Sequence, residues 1–220
     1  MKSFNREVTS TGVVTFQGLL YILGGEDEGG NKLNTVLRFN PDANLWQEVA
    51  PVSIARAAVC AVADTNSLYA IGGLSDDRDV NIVERFDQKE KAWSRVASTI
   101  EFRVGASGVV INQKTFVFGG VSTREPSPIE IYDPAIDTWS VVADAVGPRG
   151  PIMSATGFKG KIFVCGCFGQ DFSDGQSLQI FDPDRSEWNP CKDIPMGGGD
   201  YFISCLRMPR DVLDSCEVVS

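Results

Sequence analysis

The side chains able to do chemistry are few in kind. Histidine is absent, which removes Ser-His-Asp and Cys-His nucleophiles, histidine-containing zinc sites and a haem held by a proximal histidine. Copper, which prefers imidazole, loses its best ligand too. Six cysteines stand at 60, 165, 167, 191, 205 and 216 with no CxxC pair. Cys165 and Cys167 share one face of a predicted strand, but no third cysteine is close to them in sequence. The thiols read as reduced and non-ligating, which places the protein in the cytoplasm or nucleus. Carboxylates remain. Asp76-Asp77-Arg78-Asp79 and Asp171 with Asp174 gather charge, yet neither has the alternating oxygens, glycine and final Glu of a calcium loop. Two carboxylates could serve as general acid and base only if something raised one pKa, and these lie in polar, water-facing stretches. GxSxG, GxGxxG and GxxxxGK[ST] do not occur. The reading is a chain with no catalytic residue, no metal and no cofactor.

The elements that carry these residues come from composition and period. The 220 residues are 43% hydrophobic and 22% charged with a formal net charge of −9, enough apolar material for a sizeable core. That acidity, with no local basic stripe, argues against nucleic acid, whose affinity rests on Lys and Arg neutralising phosphates. Apolar runs such as residues 19–23 and 109–111 fall far below the roughly 20 residues that span a bilayer. No membrane segment is expected.

A repeat organises the whole chain. Gly24-Gly25, Gly72-Gly73, Gly119-Gly120 and the degenerate Gly166-Cys167 are spaced 48, 47 and 47 residues apart. All four tryptophans, Trp46, Trp93, Trp139 and Trp188, follow at intervals of 47, 46 and 49. An aromatic followed by Asn or Asp (Phe39-Asn40, Phe86-Asp87, Tyr132-Asp133, Phe181-Asp182) precedes each Trp by seven. Ten residues after Trp stand Arg56, Arg103 and Arg149, with Gly198 in the fourth unit. Inside a unit, residues 57–63, 68–71, 82–86 and 93–96 read as short strands divided by turn signals, and no helical period of useful length appears. Four strands repeated at about 47 residues describe a propeller blade.

The pattern of Gly-Gly, aromatic-Asn/Asp, Trp and Arg resembles the kelch repeat over essentially the entire chain. WD40 has a similar period, but the chain has neither a Trp-Asp dipeptide nor the histidine of a Gly-His. The resemblance implies an all-β, kelch-type β-propeller of about four four-stranded antiparallel blades plus one extra strand, as a partial or open propeller. The expected domain is 1–220, with repeats at about 8–55, 56–102, 103–148 and 149–197 and the surplus strand at about 200–207. Kelch propellers usually have six blades. A fragment lacking N-terminal blades, an open arc that pairs with a second copy, and a tight four-bladed ring all stay open, the arc or fragment being favoured. The glycines are expected to take positive φ, the Trp rings to wedge between blades, and the guanidinium groups to bridge carbonyls or carboxylates of neighbouring blades. Replacing Arg103 is expected to destabilise modestly.

Function in such folds sits on the loops at one rim. Those after the glycines supply the candidate partner-binding residues: Glu26, Asp27 and Glu28; Leu74, Asp76, Asp77 and Asp79; Val121, Arg124 and Glu125; Phe168, Asp171 and Asp174. These loops hold most of the net negative charge. In kelch substrate receptors the residues just after each Gly-Gly and just after each motif Arg line the binding face, which here implies Glu26, Leu74, Val121 and Phe168 with Ala57, Val104 and Gly150. The second set is apolar, so the implied ligand is a basic protein segment with one or two apolar anchors. The family further implies a non-catalytic interaction module, the substrate-recognition propeller of a cullin-RING ubiquitin ligase adaptor. Cullin would be reached only through BTB and BACK domains, which this sequence does not contain. An actin-binding kelch protein is the alternative, and a kelch-type sugar epimerase or oxidase ranks lower. Open blade edges would favour self-association.

Overall fold

A computed structural model describes residues 7–76, 80–123, 127–146, 149–167 and 177–190. Its strands form four sheets, each a meander of four in sequence order with antiparallel neighbours. The first holds β1 (Gly12–Phe16), β2 (Leu19–Leu23), β3 (Val36–Asn40) and β4 (Leu45–Val49). The second holds β5 (Cys60–Ala63), β6 (Leu68–Ile71), β7 (Val83–Asp87) and β8 (Ala92–Val96). The third holds β9 (Ser107–Ile111), β10 (Lys114–Phe118), β11 (Pro128–Asp133) and β12 (Thr138–Val146). The fourth holds β13 (Arg149–Phe158), β14 (Lys161–Cys167), β15 (Ser177–Asp182) and β16 (Glu187–Pro190). Among the described residues there is no helix. These sheets are the blades of a four-bladed β-propeller. The expected surplus strand at about 200–207 lies outside the described residues.

Local chemistry fixes each hairpin. Between the first two strands of blades 1, 3 and 4 the pairs Gln17-Gly18, Asn112-Gln113 and Lys159-Gly160 all have φ between 48° and 75°, as the two-residue turns that match strand twist require. Blade 2 closes the same turn differently, Asp64 Oδ1 accepting from the N–H groups of Asn66 and Ser67 at 2.6 and 2.7 Å. Between the last two strands the Asn or Asp after the aromatic accepts from the N–H two residues on: Asn40, Asp87, Asp133 and Asp182 do so at 2.8–3.1 Å. The last loop residue, Asn44, Lys91, Asp137 or Ser186, turns left-handed with φ of 48–56°. This loop places the aromatic directly opposite its Trp, the pairs being Phe39 with Trp46, Phe86 with Trp93, Tyr132 with Trp139 and Phe181 with Trp188. Ring centroids stand 4.9–5.3 Å apart. The seven-residue spacing is therefore a hairpin register.

The blades meet through their first strands, β1 packing beside β5, β5 beside β9 and β9 beside β13. Close approach selects small residues there. A Cβ at Gly108 would stand 2.5 Å from Val62 Cγ1 and 2.8 Å from Cys60 Sγ of the preceding blade. Leu68 and Ala70 of blade 2 are fully buried against blade 1, within a cluster that includes Tyr21, Leu23 and Val36. Among the described residues β13 and β1 do not pack side by side in this way, and no described strand covers the leading face of blade 1. Val13, the counterpart of Gly108, is 54% exposed, and Leu20 and Ile22 are half-buried where Leu68 and Ala70 are sealed.

First strands begin later than the sequence predicts. β5 starts at Cys60 rather than residue 57, and β1 at Gly12 rather than near residue 8. The cause is a left-handed residue in the lead-in, Ser10 at φ 53° and Ala58 at φ 49°, with Gly105 at 68° in blade 3. These three link the blades, the Ala58 N–H donating to Ser10 O at 2.7 Å and the Gly105 N–H to Ala58 O at 2.9 Å.

Candidate partner-binding rim

The rim is built on the glycine doublets. Gly24, Gly25, Gly72, Gly73, Gly119 and Gly120 all have positive φ. A Cβ at Gly24 would lie 2.2 Å from Arg56 O, and one at Gly72 would lie 2.3 Å from Arg103 O. Only glycine fits such an approach. The reward is a pair of inter-blade bonds, Gly25 N–H to Arg56 O at 3.0 Å and Gly73 N–H to Arg103 O at 2.7 Å. In the fourth blade the expectation fails. Gly166 continues β14 and is not left-handed, because Cys167 after it carries a Cβ and pairs across the sheet with Arg149.

The arginines are buried completely and act differently from the expected bridge. Each joins two blades with two parts of itself. The main chain of Arg56 binds blade 1, its N–H donating to Leu33 O at 3.0 Å and its carbonyl taking Gly25 N–H. Its guanidinium turns into blade 2, where Nη1 donates to Gly72 O at 3.0 Å and to Ile82 O at 2.9 Å. Arg103 repeats this in blade 3, Nη1 donating to Gly119 O at 2.9 Å and Nη2 and Nε to Glu130 Oε1 at 2.7 and 3.1 Å. The guanidinium groups thus anchor their own blades rather than bridging neighbours. The Arg149 side chain lies outside the described residues.

A carboxylate column partners these arginines and was not singled out from the sequence. Glu84 stands 3.6 Å from Arg56 and Glu130 stands 2.7 Å from Arg103, all four side chains being at most 1% exposed. Glu84 accepts from the Ser53 N–H at 2.9 Å and Glu130 from the Ile100 N–H at 2.6 Å, so each also clamps the link entering its blade. Their signal is an acid two residues before the aromatic. Blade 1 lacks both partners: Leu37 holds the acid position, and Val8, sixteen before Gly24, holds the arginine position. Burial draws the pKa of Arg56 down and Glu84 works against that pull. Trp93 and Trp139 wedge as expected, Trp93 Nε1 donating to Ala50 O and Trp139 Nε1 to Ala97 O of the preceding blade, both at 2.8 Å.

The two sets of residues implied to line the rim come together as isolated antiparallel bridges, Ala57 with Leu74 and Val104 with Val121, and Thr9 with Glu26 in blade 1. Each bridge exchanges two main-chain bonds of 2.9–3.2 Å. Ala57 is buried, Leu74 and Val104 are half-buried, and Val121 is 41% exposed. The acids divide by role. Glu26 forms a 2.7 Å ion pair with Lys32. Asp27 Oδ1 accepts from the Gly29 and Asn31 N–H groups at 2.9 Å and so shapes its own loop. Glu28 and Asp76 are exposed. The Thr123 hydroxyl donates to Glu101 across the rim. Asp77, Asp79, Arg124, Glu125, Phe168, Asp171 and Asp174 lie outside the described residues.

Among the described residues no group of three His, Cys, Asp or Glu stands where it could hold a metal, and no helix is long and apolar enough to cross a membrane. Burial pushes the Cys60 thiol up to about 12, far from the thiolate that reacts or ligates.

Known proteins agree with this architecture. Residues 9–198 match the model of the KLHDC2/KLHL20/DRC7 Kelch-repeats domain. Kelch-like protein 35 of Mus musculus is 30% identical over 172 residues, covering 78% of this chain and 29% of its own length. Kelch repeat and BTB domain-containing protein 12 of Homo sapiens is 28% identical, covering 88% of this chain and 36% of its own length. Kelch-like protein 23 of Mus musculus is 26% identical, covering 81% and 32%. The chain thus spans about a third of the length of the curated relatives it matches. With its doublets, its Phe/Tyr–Trp pairs and its buried arginines, the chain belongs to the kelch-repeat family of β-propellers and is a protein-interaction module.

Proposed function

We propose that the rim is a docking face for a protein partner, and that the chain serves as the substrate-recognition propeller of a kelch-like cullin-RING ubiquitin ligase adaptor in the cytoplasm or nucleus. The reading rests on one observation above others: the Ala57–Leu74 and Val104–Val121 bridges bring partly exposed Leu74, Val104 and Val121 to the rim, whose loops also carry exposed Glu28 and Asp76. Such a surface favours a segment with apolar residues for these side chains and Lys or Arg for the acids. No step of catalysis is assigned to it. Cullin engagement would belong to BTB and BACK domains, a BTB domain being part of the name of one relative. The leading face of blade 1, which no described strand covers and where Val13 is 54% exposed, supports association with further blades or with a second copy.

Fluorescence anisotropy with two labelled peptides tests the docking face. One carries two leucines among lysines and the other carries the same leucines among glutamates. Tighter binding of the lysine peptide, weakened by salt and by Glu28→Lys with Asp76→Lys, supports the reading. Equal binding of the two peptides contradicts it, and co-sedimentation of the chain with actin filaments would favour the cytoskeletal alternative.

A further inference from the structure

At the end of the blade 1–blade 2 cleft opposite the rim lies a groove of about 320 Å³ lined by Tyr21, Arg38, Val49, Ala50, Phe86, Gln88 and Lys91. It lies at the far end because the rim loop precedes β7, while the turn that carries Lys91 follows it. Two cations and no carboxylate line this groove, in a chain of net charge −9.

The next cleft shows what such a corner accepts. Between blades 2 and 3 the counterpart of Lys91 is Asp137, each being the left-handed last residue of its turn, at φ 52° and 49°. Asp137 Oδ1 accepts from the Ala97 N–H at 2.9 Å and from the Tyr132 hydroxyl at 2.7 Å. Arg85 is near enough to favour the charged carboxylate. Every donor has a counterpart one blade earlier except the hydroxyl: Ala50 for Ala97, Arg38 for Arg85, and Phe86 for Tyr132. Ala50 and Ala97 even share the other half of the contact, their carbonyls each taking a Trp Nε1 at 2.8 Å. In the first cleft, however, the acid is replaced by Lys91. Among the described residues none accepts from the Ala50 N–H. Arg38 spends one N–H on Gln47 Oε1 and keeps the others.

We infer that this groove is a second binding site, which takes the carboxylate of an aspartate or glutamate in a partner's peptide segment, with an apolar neighbour of that residue resting on Tyr21, Val49 and Phe86. The incoming carboxylate accepts from the Ala50 N–H, as Asp137 does from Ala97, and Lys91 and Arg38 add the charge. An apolar side chain covers the floor and excludes water from those bonds. The site is independent of the rim and differs in ligand sign, taking acid where the rim takes base.

The test is a titration of the whole chain with N-acetyl-Phe-Asp-amide, followed by amide chemical shifts, with N-acetyl-Phe-Asn-amide as the uncharged control. The Asp probe should move the Ala50 amide saturably, and the Asn probe should bind about tenfold or more weakly, the loss expected for a charge-assisted bond. Lys91→Asp supplies an internal carboxylate at the position where Asp137 already tolerates φ near 50°. It should abolish probe binding and raise the melting temperature, while Arg38→Gln weakens binding in a chain whose cleft is otherwise intact. Equal affinity for the two probes, no saturable shift at Ala50, or undiminished binding to both variants would overturn the assignment.

Discussion

Replacing Arg103 by methionine removes a cation from a place where nothing else can compensate. The guanidinium is sealed from solvent and holds Gly119 O and the Glu130 carboxylate, which in turn holds the Ile100 N–H. Methionine fills much of the same volume, so the loss is of charge and hydrogen bonds rather than of packing. It leaves Glu130 buried and uncompensated. Breaking a buried ion pair from one side costs about 3–5 kcal/mol, against a total stability of about 5–15 kcal/mol for a domain. At roughly 2–4 °C per kcal/mol for a chain of this size, the melting temperature should fall by about 6–20 °C. That is well beyond the modest effect expected of a residue that merely bridges blades. The double variant Arg103→Met with Glu130→Leu restores the chemistry blade 1 already uses, with Val8 and Leu37 in those positions. It should be less destabilised than the sum of its single changes by about 1–3 kcal/mol. Urea unfolding followed by tryptophan fluorescence reads all three variants. A single variant within about 1 kcal/mol of the parent, or a double variant no better than additive, would refute the reasoning.

Other perturbations reach different parts of the propeller. Trp139→Ala empties the wedge between blades 2 and 3 and frees the Ala97 carbonyl, so a loss of about 3–5 kcal/mol is expected in the same urea assay. Ala58→Gly relieves a left-handed alanine at φ 49°; the relief of about 1–2 kcal/mol exceeds the extra unfolded-chain entropy of about 0.5–1 kcal/mol, so thermal melting should move slightly upward. Asp137 is held below the usual aspartate range, first by the Ala97 N–H and then by the Tyr132 hydroxyl. Its folded pKa is depressed, so its contribution is complete above about pH 4 and disappears as pH falls through the folded value. Melting curves between about pH 5 and pH 2 should therefore be flatter in Asp137→Asn than in the parent.

Much of this architecture was legible because hairpin register is local. The spacing of seven from aromatic to Trp encodes a turn, and the Gly-Gly doublets encode positive φ, so both survive reading one residue at a time. The buried acids were half legible: Glu84 and Glu130 stand two residues before their aromatics, but Leu37 and Gln179 occupy that column in blades 1 and 4 and blur it. Ser10 and Ala58 gave no warning, since their left-handed turns are imposed by the neighbouring blade rather than by their own preferences. The division of rim acids was hidden for a similar reason. Asp27 closes its own loop while Glu28 faces water, a difference set by how the loop folds and not by residue type. The exchange of Asp137 for Lys91 sits in the open in the repeat, yet its meaning depends on Ala97 and Ala50, which lie about 40 residues earlier in the chain.

The account rests on the rim as the surface that meets a protein partner, and the most direct measurement removes its apolar side chains without touching its charge. The leucine–lysine peptide is titrated into the parent chain and into Leu74→Ser with Val121→Ser, both first shown to melt alike. The account predicts that affinity falls about tenfold or more in the variant, as expected for lost apolar anchors, while salt dependence stays the same. Unchanged affinity in a folded variant would contradict it and move the partner surface away from the bridges that join the Gly-Gly and Arg corners.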